Sequence, residues 1–121
     1  MRREDYYLVD SEGVIETLLI NPKDKTLLLL NGDEEDYEVW FLVNYTGHED
    51  MIKDLFDKKI DLRTLMLTCK YKLAYRYYED YDEIVPKHSE SVFGYKIPLK
   101  DSYIDYSIMT DEELQELRSQ L

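Results

Sequence analysis

Two short acidic runs hold the densest reactive chemistry in the sequence. Asp33, Glu34, Glu35, Asp36 and Glu38 put five carboxylates into six positions, and Glu79, Asp80, Asp82 and Glu83 put four into five. Carboxylates hold hard cations, move protons or attract cationic surfaces, and spacing separates these uses. A calcium loop numbered from Asn31 has Asp33 and Glu35 at its third and fifth positions. Its sixth position, however, is Asp36 instead of glycine, and its twelfth is Leu42 instead of a bidentate glutamate. Asp80, Asp82 and Glu83 lack flanking helices of that kind and read as a solvated charge run. The expectation is therefore no bound metal and no cofactor.

Nucleophilic catalysis has few components to draw on. Cys69 is the single thiol, and His48 and His88 are the only imidazoles. A cysteine ahead of a strand is expected to be a small buried hydrophobe. His48 falls in the first turn of a predicted helix, where the dipole disfavours a charged ring, and His88 lies in a polar loop. The zinc-hydrolase, P-loop and dinucleotide motifs are missing from the sequence. The expectation is a protein without catalytic residues. A small metal-dependent hydrolase using acidic ligands from distant positions stands as an alternative.

Attraction of a cationic surface is the use left over, and composition agrees with it. Fifteen Lys and Arg against 27 Asp and Glu give a formal net charge of -12 and a pI near 4.5, which argues against direct binding to nucleic acid or an anionic membrane. Twelve tyrosines against three phenylalanines add rigid contact area with polar tips, the kind that recognition surfaces use. Tyr71, Tyr75 and Tyr77 alternate on one strand and are assigned to packing, whereas Tyr78 and Tyr81 break the alternation and sit among the acids as contact candidates. Carboxylates two apart on a strand, such as Asp36 and Glu38, stand roughly 6.5 to 7 Å apart, close to the phosphate spacing of a nucleic-acid strand.

The elements that must position these groups follow from periodicity. With 44% apolar and 35% charged residues over 121 positions, and no linker or repeat, residues 1–121 read as one globular domain. Strands are predicted at Tyr6 to Val9, Val14 to Ile20, Thr26 to Leu30 and Tyr37 to Tyr45, the last central because both of its faces are apolar. Another is predicted at Lys70 to Tyr78, with one wet face carrying Lys70, Lys72 and Arg76, and two weaker ones at Val92 to Leu99 and Ser102 to Ile108. Pro98 places the first of these two at a sheet edge. Helices are predicted after capping boxes at Thr46 and Thr110 and after an N-cap at Asp61. The fold class is α+β, an antiparallel sheet of about five to seven strands with two or three short helices packed against it. If the Trp40 and Tyr75 strands are antiparallel neighbours, both acidic runs meet at one end of the sheet.

Leu27 to Leu30, the Trp40 strand, the helix through Phe56 and the run Lys59-Ile60-Asp61-Leu62-Arg63 together resemble a prokaryotic domain family of unknown function. In that family a strand hairpin leads to a helix, a Gly/Lys-Ile-x-Leu-Arg start to a second helix, and a later Ile-Pro segment like Ile97-Pro98-Leu99. The resemblance covers about residues 14 to 108 and implies an α+β fold, with no activity to carry over. In size and charge the chain is also similar to phage-encoded inhibitors of bacterial defence systems and to immunity proteins of bacterial toxins.

The sequence thus predicts a cytoplasmic, non-catalytic protein-binding module. Asp33, Glu34, Glu35, Asp36, Glu38, Tyr78, Glu79, Asp80, Tyr81, Asp82 and Glu83 form its contact surface, and its partner is a protein with a basic surface. The inhibitor or immunity-type version blocks a nucleic-acid groove on that partner, as a DNA mimic would. Self-association into a homodimer through a strand edge near Ile97 to Leu99 is the rival within the binding class.

Overall fold

Alternating apolar and polar residues at the start of the chain fold as a meander. A computed structural model describes residues 1–87 and 94–121. Six strands form one sheet in sequence order: β1 (Tyr7–Glu12), β2 (Ile15–Asn21), β3 (Thr26–Asp33), β4 (Tyr37–Asn44), β5 (Lys70–Tyr77) and β6 (Val85–Lys87). Every neighbouring pair is antiparallel. Helices α1 (Glu49–Phe56) and α2 (Leu62–Thr68) fill the β4–β5 connection, and α3 (Asp111–Ser119) closes the chain. The architecture is α+β, with the Trp40 strand β4 in the interior of the sheet.

The helices cover one face. Val39, Phe41 and Val43 of β4 and Leu73 of β5 meet Ile52, Leu55 and Phe56 of α1 and Leu65 and Met66 of α2 in a largely apolar core that also takes in Tyr45 and Cys69. Asp61 caps α2 by accepting the Thr64 amide, and the Thr110–Glu113 capping box opens α3. The box expected at Thr46 does not form. The Thr46 amide donates to the Asn44 side chain, Gly47 takes φ +86°, and α1 starts after His48 as a helix of just over two turns. Glu49 is thereby the first helical residue and reaches Lys25 at 2.6 Å.

The opposite face of β5 was expected to be wet; it is buried at Ala74 and Arg76, whereas Lys70 is exposed and Lys72 half-buried. Residues 1–6 run across it as a strap held by Ile84 N–H to the Met1 carbonyl and Arg3 N–H to the Asp82 carbonyl. The Tyr6 hydroxyl meets Thr26 Oγ1 at 2.8 Å. Beneath the strap lie Leu19, Leu28, Trp40, Leu42, Ala74 and Ile84. Arg76, expected in an exposed basic stripe, is fully enclosed.

Three irregularities in register turn this face to its use. β3 does not stop at Asn31-Gly32 but bulges there and continues to Asp33, opposite Glu38. β2 gains a residue near Thr17 relative to β1, and β1 gains one near Val9 relative to β2. A bulge re-aims the side chains that follow it. The one at Thr17 sets Glu16 on the Trp40 side of the sheet, where it meets Arg3 and Arg76.

No strand forms at Ser102 to Ile108, nor over Tyr95 to Leu99; Val92 and Phe93, like His88, lie outside the described residues. This stretch packs across the helices. Ser102 accepts the Leu62 amide, the Asp101 amide donates to Asp61, and Tyr106 stacks on Phe56 with ring centres 6.0 Å apart. Proline does stand in the last strand of the described sheet, but it is Pro86 of β6.

Candidate functional site

Because β4 and β5 pair with Tyr37 opposite Tyr77 and Glu38 opposite Arg76, the start of one strand lies beside the end of the other. Both acidic runs therefore meet at one end of the sheet. The Tyr78 amide donates to the Asp36 carbonyl at 3.1 Å, tying the β3–β4 turn directly to the 3-10 turn Tyr78–Asp80. Asp33, Glu34, Glu35, Asp36, Glu79, Asp80 and Asp82 are all exposed there. The β1–β2 turn opens at this same end and adds Glu12 and the fully exposed Val14. Six strands at about 4.8 Å spacing make this rim roughly 24 Å wide.

Three of the expected contact residues are engaged inside the molecule. Glu38 is 3% exposed, so the phosphate-like pair that it was to form with Asp36 is not displayed. Its Oε1 accepts Arg76 Nε at 2.8 Å and Trp40 Nε1 at 3.1 Å, and its Oε2 accepts the Tyr81 hydroxyl at 2.9 Å. Glu83 pairs with the Met1 amino group at 2.8 Å and with Arg2 at 3.6 Å. Tyr81 lays its ring over the Arg76 guanidinium, 3.7 Å from carbon to ring centre, stacks on Tyr78 and is still exposed.

Arg76 is the hub of this buried cluster. Glu16 accepts from it at 2.8 Å and from Arg3 at 2.6 Å, so two cations and two anions balance beneath the rim. Burial alone opposes charge on Arg76, but Glu16 and Glu38 outweigh it and hold the guanidinium protonated. Burial likewise would raise the Glu16 carboxyl, yet hydrogen bonds from Arg3 and Arg76 bring it below its ordinary range. Burial, then donation to Glu38, pushes the Tyr81 phenol up to about 12, so it acts as a donor and not as a base. Tyr78 is raised as well, by desolvation and then by the Asp33 carboxylate beside it.

The sequence reading missed this cluster, although one signal was present. Glu38 and Arg76 are opposite charges on the same face of two adjoining strands, and only the register shows them to be directly opposed. Of the other groups weighed, Cys69 is buried, with its thiol raised by that burial, and His48 sits at the N-cap of α1. Among the described residues, no three of His, Cys, Asp and Glu converge as a metal site. No described helix is long and apolar enough to cross a membrane.

The arrangement is a rim of exposed carboxylates around a stacked tyrosine pair, clamped from below by a neutralised ion cluster. Its chemistry is long-range attraction of cations with an aromatic platform for contact. Compared with family models, curated proteins and solved structures, the chain matches none.

Proposed function

We propose that the chain is a non-catalytic protein-binding module of the inhibitor or immunity type, which occludes a basic or nucleic-acid-binding surface of its target. The observation that carries this reading is the meeting of the two acidic runs at one sheet end around the exposed Tyr78–Tyr81 stack. Repulsion among seven exposed carboxylates works against folding, and association with a basic surface relieves it. The tyrosines supply desolvated contact area at the centre and the acids a polar surround, the usual division between anchor and rim in an interface.

The test begins with affinity capture from a lysate of the native host, with nuclease present, at low and high salt. The expected product is one basic protein, released by salt. That protein is then titrated with the wild type and with a variant carrying Asp33→Lys, Glu35→Lys, Asp80→Lys and Asp82→Lys. Affinity should fall about tenfold or more, mostly through the association rate. Equal affinity for the two chains, or recovery of the bait alone, overturns the proposal.

A further inference from the structure

Tyr45 carries a hydroxyl that the fold does not use. The residue follows β4, is 2% exposed and packs in the core under the helices, yet among the described residues its Oη has no hydrogen-bond partner. A buried polar group left in this state costs stability, and its retention calls for a partner from outside the chain. Tyr45 also lines a cleft of about 300 Å³, at the lower end of the range of small-molecule sites. Ile52 and Pro22 give the cleft an apolar floor, Lys25, Glu49 and Lys53 its charged walls, and the residues that follow α3 its far side. Burial, and then the charge of Glu49, pushes the Tyr45 phenol up to about 12, so the hydroxyl end of the ring lies within reach of that wall and stays a donor.

Local structure explains why these groups converge. Lys25 closes the β2–β3 turn, and its carbonyl accepts the Tyr45 amide at 3.0 Å, which joins that turn to the end of β4. Glu49, Ile52 and Lys53 stand three and four residues along α1 from one another's turn and share one face. Glu49 and Lys53 at that spacing ordinarily pair with each other, but Glu49 Oε1 is taken by Lys25 Nζ at 2.6 Å. Lys25, and then backbone amides, hold the Glu49 carboxyl at about 2, so it stays ionised. Lys53 is exposed and, among the described residues, has no ion-pair partner.

We propose that this cleft binds a small aliphatic α-amino acid. Its carboxylate accepts from Tyr45 Oη and Lys53 Nζ, its ammonium rests on Glu49 and its side chain on Ile52 and Pro22. Walls of both signs select the zwitterion. A simple carboxylate would gain the two donors but face Glu49 without compensation. A simple amine would gain Glu49, face both lysines and leave the hydroxyl unpaired. Glu49 and Lys53 are about 6 Å apart along the helix axis, a span that the amino and carboxylate groups of one α-carbon bridge with a hydrogen bond at each end. The acidic rim lies at the opposite end of β4, about 24 Å away, and the inference is independent of the rim and its partner.

L-leucine is the probe, titrated into the whole chain and followed by amide and side-chain NMR shifts. Saturable shifts are expected at Tyr45, Glu49, Ile52 and Lys53, with Asp33 to Asp36 unmoved. Isocaproate, which lacks the amino group, and isoamylamine, which lacks the carboxylate, should each bind about tenfold more weakly or worse. Tyr45→Phe is the sharpest variant. Because it deletes an unpartnered hydroxyl, it should melt no lower than wild type without ligand, and it should bind L-leucine about tenfold more weakly. Lys53→Gln, at an exposed position, should leave the fold intact and weaken binding about fivefold. Absence of saturation, equal binding of either analogue, or Tyr45→Phe binding as tightly as wild type would each overturn the assignment.

Discussion

The two faces of the sheet solve burial in different ways. Under the helices, Val39, Phe41, Val43 and Leu73 pack against Ile52, Leu55 and Phe56, and any side chain of suitable shape would serve. Under the strap, Trp40, Leu28 and Ala74 pack similarly, but Arg76 and Glu38 are equally enclosed, and their burial is tolerable only because each has the other. The first face depends on volume and the second on identity. The second is also the face that supports the rim, since Tyr81 is held by Glu38 and Arg76.

The largest expected effect is on the identity-dependent face. Arg76→Met strands Glu38, leaves Glu16 with Arg3 alone, and should cost about 3–5 kcal/mol in urea unfolding. Adding Glu38→Leu to Arg76→Met should recover part of that loss, since an apolar pair removes one stranded charge. A cost for Arg76→Met near that of a surface substitution would break the comparison. On the helix face, Leu55→Ala should cost about 2–5 kcal/mol through the cavity it leaves, and no second substitution of charge should rescue it.

Tyr81→Phe is a smaller probe of the join between cluster and rim. It removes one hydrogen bond to Glu38 while keeping the ring on Arg76, and because the residue is 39% exposed the loss should be about 1 kcal/mol. Partner affinity should drop as well, since Tyr78 loses a fixed neighbour. An affinity loss without any loss of stability would locate the hydroxyl at the interface itself.

This contrast also explains what the sequence made legible. The periodicities of Tyr37 to Tyr45 and Lys70 to Tyr78 are local, and they predicted both strands, each ending one residue earlier in the structure, and the interior place of β4; the meeting of the acidic runs followed only on the condition that the two strands pair antiparallel, as they do. Asp61 and Thr110 cap as expected, because an N-cap depends on residues three apart. Thr46 has the same local signal, but a turn at Tyr45 to His48 took its place. The buried ion cluster depends on a bulge near Thr17 that turns Glu16, on a strap that crosses from residue 3, and on a pairing thirty-eight residues apart. None of these has a periodicity of its own. The same alternation that gave β5 its two faces could not show that residues 1–6 would cover the second one. Ser102 to Ile108 alternates too, yet Asp61 and Leu62 draw that segment over the helices and away from the sheet.

The smallest effects are in the pH dependence, where two carboxylates of the first hairpin should act with opposite sign. Glu16 has a folded pKa below its unfolded one, so it contributes stability that is fully present above the ordinary glutamate range and is lost as pH falls through the folded value. Glu16→Gln should therefore destabilise at pH 7, and the gap to wild type should close on acidification. Asp10 is the reverse case. Burial, and then the charge of Asp105, raise its carboxyl, so its protonated form suits the fold and its contribution is present below the ordinary aspartate range and lost as pH rises through the folded value. Asp10→Asn should stabilise at pH 7 and have little effect at pH 3, read from melting temperatures at both. Equal behaviour of the two variants would mean that the Thr17 bulge, which delivers Glu16 to its arginines and leaves Asp10 without one, has no electrostatic consequence.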